Sequence, residues 1–102
     1  MSAVWAYVPD LMDRSRMTAA GVTGLHFVTR PDELSDAPVG ATVVVDLSRD
    51  GVLTVLGDLD GRRRIGFGSH VDRERLEAAR RAGCDLVLAR SEFFRRLSDV
   101  IQ

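Results

Sequence analysis

Short apolar runs alternate with helix-spaced patterns along the whole chain, and that alternation predicts its elements. Ala3 to Val8 predicts a first strand, after which Asp10 caps a helix from about Leu11 to Ala20 that stops at Gly21. Val22 to Val28, rich in β-branched and aromatic residues, predicts a second strand. Pro31 to Leu34 has room only for a short helical turn. Ala41 to Val45 is the strongest strand signal, an unbroken apolar run of the kind buried on both faces of a parallel sheet, and it ends abruptly at Asp46. Gly51 to Leu59 carries Val52, Leu53, Val55, Leu56 and Leu59 near helical spacing, weakened by Gly57.

Ile65 to Gly68 predicts a fourth strand. Ser69 or Asp72 then caps a helix from Arg73 to Ala82, which packs through Leu76, Ala78, Ala79 and Ala82, carries a Glu77/Arg81 pair one turn apart, and stops at Gly83. Asp85 to Ala89 is a fifth strand. Phe93 to Ile101 is a last helix with Phe94, Leu97 and Ile101 on one side. Five strand–helix alternations predict an α/β domain of flavodoxin-like type: a three-layer sandwich with a five-stranded parallel sheet and helices on both faces. No repeat, low-complexity stretch or linker divides the chain, so residues 1–102 form one domain.

Composition narrows the chemistry. All 14 basic residues are Arg, against 15 acidic ones, for a formal net charge of -1. Without a basic excess, nucleic acid is not an expected partner. Without Lys there is no Schiff base, no P-loop lysine and no amine general base. Cys84 is the only cysteine, so no intrachain disulfide forms, and it reads as a small buried residue. The apolar start lacks a basic leader and stops at Pro9-Asp10, short of a signal peptide or membrane span, so the expected compartment is the cytoplasm. No nucleophile–base pair stands out, and enzyme activity is not expected.

Ligands of open parallel sheets gather at the carboxyl ends of the strands. Here those ends run into Pro9-Asp10, Asp46-Leu47-Ser48, Gly68-Ser69-His70 and Arg90-Ser91. The pattern Val8-Pro9-Asp10-Leu11-Met12, Val43-Val44-Val45-Asp46-Leu47, Ile65-Gly66-Phe67-Gly68-Ser69-His70 and Ala82-Gly83-Cys84-Asp85-Leu86-Val87-Leu88-Ala89-Arg90 resembles the receiver domain of bacterial two-component response regulators. It covers nearly the whole chain, which is shorter than a typical receiver.

The resemblance implies an acid pair after strand one that holds Mg²⁺, a phosphoacceptor Asp after strand three, a hydroxyl residue after strand four and a Lys after strand five. A carboxylate attacks an anionic phosphoryl donor only when cations screen the developing charge. Asp46 matches the acceptor, and Asp10 matches one of the acids, so Asp10 and Asp46 are the candidate Mg²⁺ ligands. Pro9 stands where the other acid would be. Gly68 falls at the hydroxyl position, with Ser69 one residue on, and Arg90 stands at the Lys position, offering a planar fork in place of an ammonium. These departures point to a degenerate, stand-alone receiver-like module for signalling or protein interaction, with Asp46 as the phosphoacceptor equivalent. The implied partners are proteins, a histidine kinase or a second copy meeting through the helix at 73–82, the strand at 85–89 and the last helix; no membrane is expected as a partner.

Each feature also has a plainer reading. Asp10 serves as a helix cap, and Asp46 forms an internal ion pair with Arg90. The alternative function is a small-molecule or anion binder in which the loop from Gly66 to His70, with Gly68 as contact, meets the ligand near a helix N-terminus; otherwise those glycines permit close strand–helix approach. Arg62-Arg63-Arg64 reads as a solvated loop, with a contact to an acidic partner as the sharper alternative. His26, Trp5 and Tyr7 read as packing or sheet-edge residues.

Overall fold

A computed structural model describes residues 3–101. Five parallel strands, β1 (Val4–Tyr7), β2 (Leu25–Phe27), β3 (Thr42–Asp46), β4 (Arg63–Gly68) and β5 (Leu86–Ala89), form one sheet in the order β2-β1-β3-β4-β5. The five helices are α1 (Leu11–Ala19), α2 (Val52–Leu56), α3 (Arg73–Arg81), α4 (Arg90–Arg95) and α5 (Leu97–Ile101), and a 3-10 segment covers Pro31–Asp36. This is the flavodoxin-like three-layer arrangement. No helix among the described residues is long and apolar enough to cross a membrane.

The two-residue period of the strands sorts the core into two sides. Val4, Ala6, Val44, Ile65 and Phe67 meet Met17 of α1 and Phe93, Leu97, Val100 and Ile101 of α4 and α5. Val43, Val45 and Val87 face the other way, onto Leu34 of the 3-10 segment, Val52, Val55 and Leu56 of α2, and Ala79 of α3. β3 is buried from end to end, as its unbroken apolar run predicts. Phe67 stacks on Phe93 at 4.6 Å, and Phe94 meets both rings edge-on, which fixes α4 against β4.

Several boundaries differ from the sequence reading. The second strand is only Leu25–Phe27, because Gly21 (φ 75°) and Gly24 (φ 70°) turn the chain through left-handed conformations just before it. The last helix begins at Arg90, directly at the end of β5, and is interrupted at Arg96; its buried side carries Phe93 rather than Phe94. Glu77 pairs with Arg80, not Arg81.

The Arg62–Arg64 run is a correction of another kind. It is no solvated loop: Arg63 and Arg64 open β4, and each of the three guanidinium groups binds backbone carbonyls. Arg62 reaches the Ala37 carbonyl at 2.7 Å, Arg63 reaches Val100 at 2.6 Å, and Arg64 reaches Leu56 at 3.1 Å. These acceptors lie at or near the carboxyl ends of the 3-10 segment, α5 and α2, where carbonyls lack intrahelical partners and a cation is favoured.

Arg64 is largely enclosed, its side chain 16% exposed. Arg64→Met keeps the apolar stem but leaves the Leu56 carbonyl only the 3.3 Å bond from the Leu59 N–H, and should lower the unfolding free energy by about 1–3 kcal/mol in urea titrations. Arg73→Met, at an exposed position, should stay within about 0.5 kcal/mol of the parent. Equal effects at both positions would disprove the clamp.

Candidate functional site

At the carboxyl edge of the sheet the chain gathers Asp10, Asp46, Ser69 and Arg90, with one acid the sequence reading overlooked, Asp13. Asp10 acts as the cap of α1, its Oδ1 accepting from the Asp13 N–H at 3.0 Å. Asp46, only 3% exposed, closes a tight local turn: its Oδ1 accepts from the Ser48 N–H at 3.0 Å and the Ser48 hydroxyl at 2.7 Å. Its Oδ2 faces the Arg49 Nε at 3.5 Å. A carboxylate buried at the end of a strand needs such donors, and here its own loop supplies them.

Arg90 does not pair with Asp46. Its Nη2 bonds Oδ1 of Asp13, while its guanidinium lies 5.7 Å from the Phe67 ring centroid and 5.3 Å from that of Phe94. The expected internal ion pair is therefore wrong in its acid. The cause is local: α4 starts at Arg90 itself, and the side chain crosses the aromatic cluster toward α1, whose inward side carries Asp13 and Met17 one turn apart. That spacing was the available signal, since Asp13 shares the helix face of a core methionine. Its Oδ2 is buried without a hydrogen-bond partner among the described residues.

The Gly66–His70 segment is covered from one side. A Cβ on Gly66 would lie 2.9 Å from Leu47 side-chain atoms, and one on Gly68 would lie 3.3 Å from Leu76 and 3.4 Å from Leu47. The fully buried Leu47 thus fills the space these glycines leave, and Arg75 holds its backbone by a 2.8 Å bond to the Leu47 carbonyl. Ser69 and His70 are exposed; the Ser69 hydroxyl accepts from the Val71 N–H at 3.4 Å.

Mg²⁺ is the cofactor the receiver resemblance implies, and this donor set does not fit it. Asp10 caps a helix, Asp46 is bound by Ser48 and Arg49, and Asp13 holds a guanidinium. Among the described residues no group of three or more His, Cys, Asp or Glu is placed to hold a metal ion. Each acid is already engaged by a donor of the chain, which suits fixed architecture better than exchange of ligands.

Cys84 lies outside this site. Burial, reinforced by the neighbouring Asp85 carboxylate, pushes its thiol pKa up to about 12 despite Arg64 and Arg80. The native thiol should resist iodoacetamide at about pH 8 and label fully in denaturant; ready labelling of folded protein would contradict this environment.

The Asp13/Arg90 pair gives a second test. Arg90→Met leaves a buried carboxylate without its cation and should cost about 1–3 kcal/mol, less than a fully buried pair because Arg90 is 44% exposed. Asp13→Leu combined with Arg90→Met should recover much of that loss; a double variant as weak as the sum of two singles would refute the pairing. No protein-family model, curated protein or solved structure matches this chain, so the site rests on its own geometry.

Proposed function

We propose that this chain is a receiver-like signalling domain that acts by presenting a surface to a protein partner and does not relay phosphate. The observation that carries this reading is the separation of the two charges that phosphoryl transfer would bring together. Asp46 is closed by Ser48 and Arg49, and Arg90 is committed to Asp13 over an aromatic seat. The strand order, the acid ending β3 and the cation following β5 support a receiver-like ancestry of the layout.

An acyl phosphate on Asp46 Oδ2 would displace the Arg49 guanidinium that faces it, and Arg90, the cation that follows β5, is held by Asp13. A protein partner fits the same edge better. Leu11 and Met12, in the first turn of α1, are 74% and 78% exposed, and Val71 on the loop before α3 is 76% exposed. Such side chains at one edge of the sheet are contact material for another protein.

The decisive measurement is intact mass after incubation with acetyl phosphate and Mg²⁺, run on the parent and on Asp46→Ala. Neither protein should gain a phosphoryl group. A gain in the parent that disappears in Asp46→Ala would overturn the reading and restore a phosphate switch.

A further inference from the structure

A partly enclosed cavity lies at the opposite edge of the sheet, where the strands begin. A cavity of about 520 Å³ opens between the end of α1 and α5, over the first residues of β1, β3 and β4. Its volume falls in the span of about 300–1,000 Å³ typical of small-molecule sites. None of the strand-end residues discussed above lines it.

The register builds its floor. Val4 stands opposite Thr42, and Thr42 opposite Arg63, so an apolar, a hydroxyl and a guanidinium side chain form one row across three neighbouring strands. All three point to the α1/α5 side, because Val44 and Ile65, two residues further along their strands, lie in the core there. Space remains above the row because α1 ends at Ala19 and its connection turns on Gly21. A Cβ on Gly21, or on Gly40 across the opening, would meet no atom within 4 Å.

Two polar groups in this row, the buried Thr42 and the exposed Arg63, keep hydrogen-bonding capacity to spare among the described residues. Thr42 is 6% exposed, and its hydroxyl makes no hydrogen bond to another described residue. Arg63 gives Nη1 to the Val100 carbonyl at 2.6 Å, which fixes the fork. Among the described residues its Nε and Nη2 have no acceptor, and none of those lining the cavity is acidic. Val22 and Ile101 complete an apolar wall, and Thr23 and Ser98 add hydroxyls at the side.

We propose that this cavity binds a small monocarboxylate with an apolar body of a few carbons. The lining carries one positive charge, so it suits one negative charge. A fork with free N–H groups beside a hydroxyl donor matches the two oxygens of a carboxylate. The Val4, Val22 and Ile101 side takes the hydrocarbon part. Arg63 is anchored by α5 before the ligand arrives, which lowers the ordering cost of binding.

The test is a titration of the ¹⁵N-labelled protein with hexanoate, followed by amide shifts. Saturable changes in the millimolar range or tighter should centre on Val4, Gly21, Gly40, Thr42, Arg63 and Ser98, and hexanol should give none. Thr42→Val removes the hydroxyl and keeps the shape, Arg63→Met removes the fork, and each should weaken hexanoate by about tenfold. Ser98→Phe, which fills the mouth from an exposed helix position, should abolish binding. Absence of saturable shifts in the parent, shifts centred on the Asp46 edge, or undiminished affinity in Thr42→Val would each overturn the proposal. If Arg63→Met fails to fold, Thr42→Val and Ser98→Phe decide it, since neither breaks a bond seen in the structure.

Discussion

The fold depends on arginine side chains that satisfy backbone carbonyls. Its helices are short: α2 and α5 have five residues each, α4 has six, and α1 and α3 have nine. Helices of that length are unstable alone and leave a large share of their carbonyls without intrahelical partners. Arg62, Arg63 and Arg64 fan out from the entry of β4 to three such ends. Arg14 ties the Val8 and Val28 carbonyls beyond β1 and β2, and Arg75 ties the β3–α2 loop to α3. A lysine offers three donors from one point, whereas a guanidinium offers five in a fixed fork and can bridge two segments. The exclusive use of Arg therefore has a structural role at these five positions, whatever set it elsewhere.

The same economy shapes the carboxyl edge of the sheet. A receiver-like layout places acids after β1 and β3 and a cation after β5, all aimed at a shared point. In this chain each acid has its own donor, so charges that would otherwise be held apart by a bound ion are held by Ser48, Arg49 and Arg90. Leu47 completes the change by packing over Gly66 and Gly68, where a crevice would otherwise admit solvent. This edge is packed architecture among the described residues, and the cavity floored by Val4, Thr42 and Arg63 lies at the other end of the strands.

The architecture was legible in the sequence because it rests on period and punctuation. Val43, Val44 and Val45 announced a central strand, and Asp10, Asp72 and Gly83 marked helix ends. What escaped was the partner of each charge. Asp13 drew no reading of its own, although its spacing to Met17 puts it on the buried side of α1. Arg90 was expected to meet Asp46, because no sequence pattern tells which way a long side chain leaves a helix that begins without a loop. The Arg62–Arg64 run looked solvated since runs of charge usually are, yet its acceptors are carbonyls, which leave no mark on residue type. The cavity at Thr42 and Arg63 was equally silent, being made by strand register and by the shortness of α1.

A guanidinium bound to a main-chain carbonyl does not read the side chain that carries that carbonyl. Ala37, Leu47, Leu56 and Val100 can each be exchanged for another residue without breaking the bond they accept, provided the backbone stays in place. A network built this way sets few pairwise constraints between positions, in contrast to the Asp13/Arg90 contact, where both members must change together. At these four positions it is burial in the core, and not the clamp, that limits which side chain can stand there.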